Sequence, residues 1–191
     1  MTGIVIVSGF LGAGKTTFIK KILEKVSAGK KLAIIENEFG DVGIDGEILS
    51  KYGMNIREIN SGCICCSVAG DFKTSILELK KDYDPETIII EPSGVAKLSD
   101  IEEICISRPE LFYIKKKIVV VDLNLYEIYT INFGDFYNDQ IKNADIIVFS
   151  RYTEAINSGI DIEKVKKDIL EKNNKALILD KEWNEIEVEY V

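Results

Sequence analysis

Short runs of consecutive β-branched and aliphatic residues alternate with longer amphipathic stretches along most of the chain. Residues 4–8, 32–36, 87–91, 117–122, 146–150 and 176–179 predict buried strands, and a shorter strand is expected near 54–59. Between them, apolar positions recur at helical spacing near 16–27, 71–80, 98–107, 125–143 and 162–172. In the first helix, Phe18, Ile19, Ile22, Leu23 and Val26 share one face, and Lys20, Lys21, Glu24 and Lys25 share the other. Strands that are apolar throughout and separated by helices predict an α/β fold: a mostly parallel sheet with helices on both faces, in a single domain. Ligands bind such sheets at the carboxyl ends of the strands. The polar, glycine-bearing segments 9–17, 37–46, 91–94 and 150–154 all fall there.

The first of these segments carries the clearest chemistry. Gly9-Phe10-Leu11-Gly12-Ala13-Gly14-Lys15-Thr16-Thr17 fits G-x-x-x-x-G-K-[ST], follows a predicted strand and opens a predicted helix. Glycines at these places let consecutive backbone N–H groups turn onto phosphate oxygens, and the helix start adds unpaired amides and the positive end of its dipole. Gly9, Gly12, Ala13, Gly14, Lys15, Thr16 and Thr17 are therefore the expected phosphate residues. Lys15 would reach the β/γ-phosphates and the Thr16 hydroxyl would ligate Mg²⁺. Glu91-Pro92-Ser93-Gly94 follows Ile88-Ile89-Ile90. Glu91 suits an acidic residue that organises Mg²⁺, and Gly94 a backbone N–H that meets the γ-phosphate. Lys15, Thr16 and Glu91 are the expected catalytic residues of a nucleoside-triphosphatase.

Composition narrows the remaining chemistry. The chain has 191 residues, enough for one full core, and 46% hydrophobic with 29% charged residues is ordinary for a water-soluble domain. Lys plus Arg number 24 against 32 for Asp plus Glu, a net charge of −8, which argues against a broad nucleic-acid or anionic-membrane surface. No signal-peptide layout or span-length apolar run is seen, so a cytoplasmic location is expected. Histidine is absent, leaving sulfur and oxygen as side-chain metal ligands.

Cys63, Cys65 and Cys66 crowd into Asn60-Ser61-Gly62-Cys63-Ile64-Cys65-Cys66. Two or three thiolates there could bind a soft or borderline metal, with carboxylates or water completing the set. The alternatives are small side chains in a tight turn and redox-sensitive thiols. Cys105, between Ile104 and Ile106, reads as core. The acidic segment 36–46, with three glycines, could change conformation with nucleotide, and Glu36 or Asp41 could lend oxygen to the cysteine site. Ser150-Arg151-Tyr152-Thr153 stands where a GTPase has Asn-Lys-x-Asp. Thr153 cannot grip both guanine donors as a carboxylate does, and Glu154 is the candidate substitute. Ser150, Arg151, Thr153 and Glu154 are the expected base-side residues, with GTP and ATP both open.

Taken in order, GFLGAGKTT, ENEFGDVGIDG, GCICC, EPSG and QIKNADIIVFS resemble the CobW family of metal-linked P-loop GTPases, related to the HypB and UreG maturation proteins. The resemblance implies a SIMIBI-class P-loop nucleotide-binding domain over residues 1–191. It implies GTP with Mg²⁺, and Zn²⁺ or Co²⁺ at Cys63, Cys65 and Cys66 with Glu36 and Asp41 as auxiliaries. It also implies hydrolysis coupled to metal delivery or cofactor insertion, a client metalloenzyme or corrinoid protein, and a homodimer across the nucleotide face. The family's C-terminal domain is expected to be absent, the chain being either a stand-alone short member or a fragment. The leading expectation is a slow GTPase or ATPase in a metallochaperone role. The alternative is a non-catalytic regulatory module that senses metal and nucleotide and acts on such a partner. A phosphotransferase is the weakest reading, since Arg57, Arg108 and Arg151 are the only arginines.

Overall fold

β1 (Thr2–Gly9) is buried along its whole length, and its side chains divide between the two faces of a sheet. Ile4 and Ile6 join one core cluster, Val5 and Val7 the other. That alternation is the period-two geometry of a strand covered on both sides. The computed structural model describes residues 1–25, 31–36, 58–60 and 69–186, with only the backbone described at 58–60 and 69–71.

The other strands are β2 (Leu32–Glu36), β3 (Glu58–Asn60), β4 (Thr87–Glu91), β5 (Phe112–Asp122), β6 (Ile146–Ser150) and β7 (Leu177–Leu179). They form one sheet in the order β3-β2-β4-β1-β5-β6-β7, and every pairing is parallel. Among the described residues, β3 and β7 lie at the two edges of this sheet.

Among the described residues the α-helices are α1 (Lys15–Lys25), α2 (Ala69–Tyr83), α3 (Leu98–Cys105), α4 (Tyr126–Asn132), α5 (Gly134–Asn143), α6 (Tyr152–Asn157) and α7 (Ile162–Lys172). Phe18, Ile19, Ile22 and Leu23 of α1 pack on the Val5/Val7 face, with Trp183 against them. The opposite face takes Phe72 and Ile76 of α2, Ile101 of α3, Tyr137 and Ile141 of α5, and Ile169 of α7. Each such fully buried side chain contributes about 1.5–3 kcal/mol of transfer free energy.

Three expectations need adjusting. The helix expected over 125–143 is two helices, broken at Phe133 (φ −129°, ψ 30°) just before Gly134. The break sets the Phe133 ring 4.7 Å from that of Phe10. β5 begins at Phe112 rather than 117, and α6 is an additional short helix. Cys105 is core, as its apolar neighbours imply, and burial pushes its thiol up to about 12.

Candidate functional site

At Gly9 the backbone leaves β1 with φ +146°, and a Cβ there would lie 2.5 Å from the Val120 carbonyl oxygen of β5. Only glycine fits so close to a neighbouring strand. The chain then turns through Gly12 and Gly14, both at positive φ, with Ala13 N–H donating to the Phe10 carbonyl. At Lys15 it enters α1, whose first-turn amides face the loop just formed. The result is a backbone concavity with an oriented helix start, suited to phosphate.

Lys15 is buried, its Nζ 3.9 Å from Oε1 of Glu91 at the end of β4. The Thr16 hydroxyl donates to that same oxygen at 2.9 Å. β4 neighbours β1 in the sheet, so the topology brings these residues together across 75 positions of sequence. Glu36, also buried, is in register with Glu91 on one side and Asn60 on the other. Two buried carboxylates on adjacent strand ends, with a hydroxyl beside one of them, form a hard-oxygen setting that suits Mg²⁺.

The segment after Glu91 is pressed onto the phosphate loop. A Cβ on Gly94 would sit 2.4 Å from the Leu11 nitrogen and 2.8 Å from the Phe10 carbonyl carbon. Fully buried Gln140 of α5 donates through Nε2 to the carbonyls of Gly94 (3.1 Å) and Ala96 (2.9 Å). Phe10 in turn stacks among Tyr129, Phe133 and Tyr137. The 91–96 segment, the phosphate loop and α4–α5 are thus one packed unit.

A cavity of about 290 Å³ adjoins the loop, bordered by Gly14, Thr17, Arg151, Glu182 and Trp183 among others. Arg151 takes a left-handed conformation (φ 55°) at the mouth of α6. Its guanidinium pairs with the buried Asp122 carboxylate and donates to the Gly12 carbonyl at 3.1 Å, tying this side of the site to the phosphate loop. Burial pushes the Asp122 carboxyl above its ordinary value, and Arg151 opposes that shift. The Trp183 indole N–H donates to the Phe149 carbonyl at 2.7 Å, and its ring meets Phe18 edge-on at 5.3 Å. Glu182 accepts through Oε1 from the Thr153 N–H (3.0 Å) and hydroxyl (2.5 Å).

Comparison with known families matches residues 3–180 to one described as CobW/HypB/UreG, nucleotide-binding domain. The chain belongs to this family. This CobW-family domain is 31% identical over 154 residues to the zinc chaperone YeiR of Escherichia coli strain K12, covering 79% of the chain and 47% of that protein. It is 45% identical over 98 residues to the zinc chaperone CobW of a Sinorhizobium species, covering 48% of the chain and 27% of that protein. The chain therefore spans about half or less of the length of these relatives. Among solved structures it is similar to the Zn(II)-bound YjiA GTPase from E. coli (TM-score 0.68, 23% identity, 93% of this chain and 57% of that one). It is also similar to the hydrogenase maturation factor HypB from Archaeoglobus fulgidus (TM-score 0.67, 23% identity, 93% and 80%). At that identity the structural likeness establishes the P-loop GTPase fold.

Of the site residues expected from sequence, the family domain gathers Gly9, Gly12, Ala13, Gly14, Lys15, Thr16, Glu91 and Gly94 around the loop. Ala13, Gly14, Thr17, Ser150 and Arg151 line the adjoining cavity. Thr153 is turned onto Glu182, and Glu154 is exposed, outside the cavity lining, with its carboxylate 4.0 Å from Arg151 Nε. Cys63, Cys65, Cys66 and Asp41 lie outside the described residues. Among the described residues no three acidic or sulfur side chains form a metal cluster, and no helix is long and apolar enough to cross a membrane. Asp122, Gln140, Glu182 and Trp183 escaped the sequence reading. Asp122 carried the signal that marked Glu91, an acid closing a buried strand, and Glu182-Trp183 follows β7 within a few residues. Gln140 opens the segment QIKNADIIVFS, in which nothing local marked its hydrogen bonds to Gly94 and Ala96.

Proposed function

We propose that this chain is the nucleotide-binding domain of a slow P-loop GTPase that couples nucleotide state to the handling of zinc or a similar metal ion. The observation that carries the reading is the cluster of Thr16 with buried Lys15 and Glu91 at the mouth of a glycine cradle, with Gly94 packed onto that cradle. The amides of residues 12–16 would hold the β-phosphate, and Lys15 would neutralise charge that grows on the β/γ-bridging oxygen as water attacks in line. Mg²⁺, held by the Thr16 hydroxyl with Glu91 beside it, would supply further charge neutralisation at the β- and γ-phosphates. The Gly94 N–H lies on the segment that would register whether a γ-phosphate is present.

Hydrolysis without a stimulating partner should run on the order of 10⁻⁴ to 10⁻² per second, as in P-loop GTPases acting alone. The metal half of the reading is supported by two things. The relatives named above are zinc chaperones, and β3 brings Asn60, three residues before Cys63, into register with Glu36. Cys63, Cys65 and Cys66 would be the principal ligands, with Glu36 and Asp41 as auxiliaries.

Two measurements test it together: phosphate release from Mg–GTP, and Zn²⁺ affinity in the triphosphate and diphosphate states. The proposal expects slow release that Lys15→Ala abolishes, and a Zn²⁺ affinity that differs between states. Equal Zn²⁺ affinity in both states would refute the coupling. Nucleotide binding with no release would instead support a sensing module.

A further inference from the structure

We propose that Glu182 reads the base of the bound nucleotide and selects guanine, an inference that rests on the triphosphate site proposed above. The cavity of about 290 Å³ touches Ala13, Gly14 and Thr17 but neither Lys15 nor Glu91. It therefore adjoins the phosphate cradle instead of being part of it, and a nucleotide with its phosphates on the loop amides would project its base there. The volume sits at the bottom of the roughly 300–1,000 Å³ range of small-molecule pockets, which suits a base better than a whole nucleotide.

Glu182 is the one carboxylate among the described residues that line this cavity. The residue is exposed, and hydrogen bonds orient its carboxylate. Oε1 takes two hydrogen bonds from Thr153, and the next residue, Trp183, is pinned to the Phe149 carbonyl and against Phe18. Two donors occupy both lone pairs of Oε1, which leaves the two lone pairs of Oε2 to accept from both donors of a ligand edge.

The chemistry of the base follows. On its pairing edge guanine carries two adjacent donors, the N1–H and the 2-amino group, while adenine presents an acceptor at N1. A carboxylate accepts and never donates, so it matches the first edge and opposes the second. Thr153 stands where the aspartate of Asn-Lys-x-Asp would be, and its own hydroxyl cannot do this work. Instead it orients a carboxylate brought in by the segment after β7. Thr153 is thus a positioning residue, and Arg151 joins the unit to the phosphate loop through the Gly12 carbonyl.

The experiment is a calorimetric titration of Mg²⁺ complexes of GTP, ITP, XTP and ATP into wild type, Glu182→Gln and Thr153→Val. Wild type should prefer GTP, then ITP, which lacks the 2-amino donor, with ATP and XTP weaker. In Glu182→Gln the GTP affinity should fall about ten- to a hundredfold, the amount expected for hydrogen bonds to a charged group. ATP affinity should stay put, and XTP should gain, because the amide can donate to the 2-oxo group. Thr153→Val should shrink the GTP-to-XTP ratio in the same direction by less. An unchanged ratio in Glu182→Gln, an ATP preference in wild type, or an equal loss for all four nucleotides would each overturn the assignment. If wild type binds none of the four, it is the triphosphate site itself that fails.

Discussion

Replacing Gly94 by alanine tests whether the 91–96 segment and the phosphate loop act as one unit. No positive φ is at stake at this position; the obstacle is space. The new Cβ would stand 2.4 Å from the Leu11 nitrogen, 2.8 Å from the Phe10 carbonyl carbon and 2.9 Å from the Leu11 Cα, where ordinary contact begins at 3.4 Å. All three are backbone atoms, so the loops must part by about 1 Å, since a buried interior has no slack to absorb it. Any shift of the segment must also carry or break the hydrogen bonds from Gln140 to the Gly94 and Ala96 carbonyls. Overpacking of this kind destabilises by about 1–3 kcal/mol, which for a domain of this size lowers Tm by roughly 2–12 °C. A displacement of 1 Å at a reacting centre slows chemistry by about a hundredfold. The assay pairs thermal unfolding with single-turnover phosphate release. Gly159→Ala serves as control: its φ is +73° and a Cβ there meets nothing within 4 Å. That change should cost about 1–2 kcal/mol of backbone strain and leave phosphate release untouched. A Gly94→Ala protein with wild-type release would refute the idea that contact between the two loops matters to turnover.

Arg151→Ala removes the cation facing buried Asp122. It should destabilise by about 1–3 kcal/mol at neutral pH, discounted from a fully buried pair because the Arg151 side chain is 41% exposed. Burial already raises the Asp122 carboxyl, and losing Arg151 raises it further. A group with a raised folded-state value keeps its stability below the unfolded value and loses it as pH climbs. Urea midpoints of variant and wild type should therefore converge on acidification; a constant gap would contradict the assignment. Tyr137→Phe should be neutral or stabilise by up to about 1 kcal/mol, because the Tyr137 hydroxyl is fully buried with no hydrogen-bond partner among the described residues; a clear loss would reveal a bond. The Cys105 thiol, raised from about 9 to about 12, should resist iodoacetamide in the folded protein, as peptide mapping would read. Its contribution to stability should decline above pH 9 by about 1.4 kcal/mol per unit, since the unfolded thiol ionises first.

The strands were legible because their composition admits little else. Runs such as Ile88-Ile89-Ile90 and Ile146-Ile147-Val148 are buried on both faces, and continuous β-branched residues mark that environment. The α4–α5 break was not legible, because Ile128 and Ile131 keep a helical apolar rhythm although they are 52% and 74% exposed. That rhythm reports spacing and cannot report which face meets the core. β5 was shortened for the opposite reason, since Lys115 and Lys116 interrupt the apolar run and hide residues 112–116. In the site, the phosphate loop was legible because its chemistry is contiguous. Asp122, Gln140 and Glu182 act through partners 29, 46 and 29 residues away in sequence, distances at which local pattern carries no information.

The sheet also gives the proposed coupling a length. Glu91, Glu36 and Asn60 end three neighbouring strands in register, so the carboxylate beside Lys15 and Thr16 and the strand end three residues before Cys63 stand two strands apart. Adjacent strands are about 4.8 Å apart, which puts the two positions about 10 Å from each other. That is close to the screening length of physiological salt, about 8 Å, and the intervening Glu36 is buried, where screening is weaker still. At an effective dielectric near 20, unit charges about 10 Å apart interact by on the order of 1–2 kcal/mol. Coupling free energies between sites commonly fall at about 1–3 kcal/mol. Under the proposed coupling, no large rearrangement would be needed for nucleotide and metal to sense one another through Glu36. Whatever factor the γ-phosphate applies to metal affinity, the metal must return to the triphosphate undiminished, because both are the same free energy read from two ends.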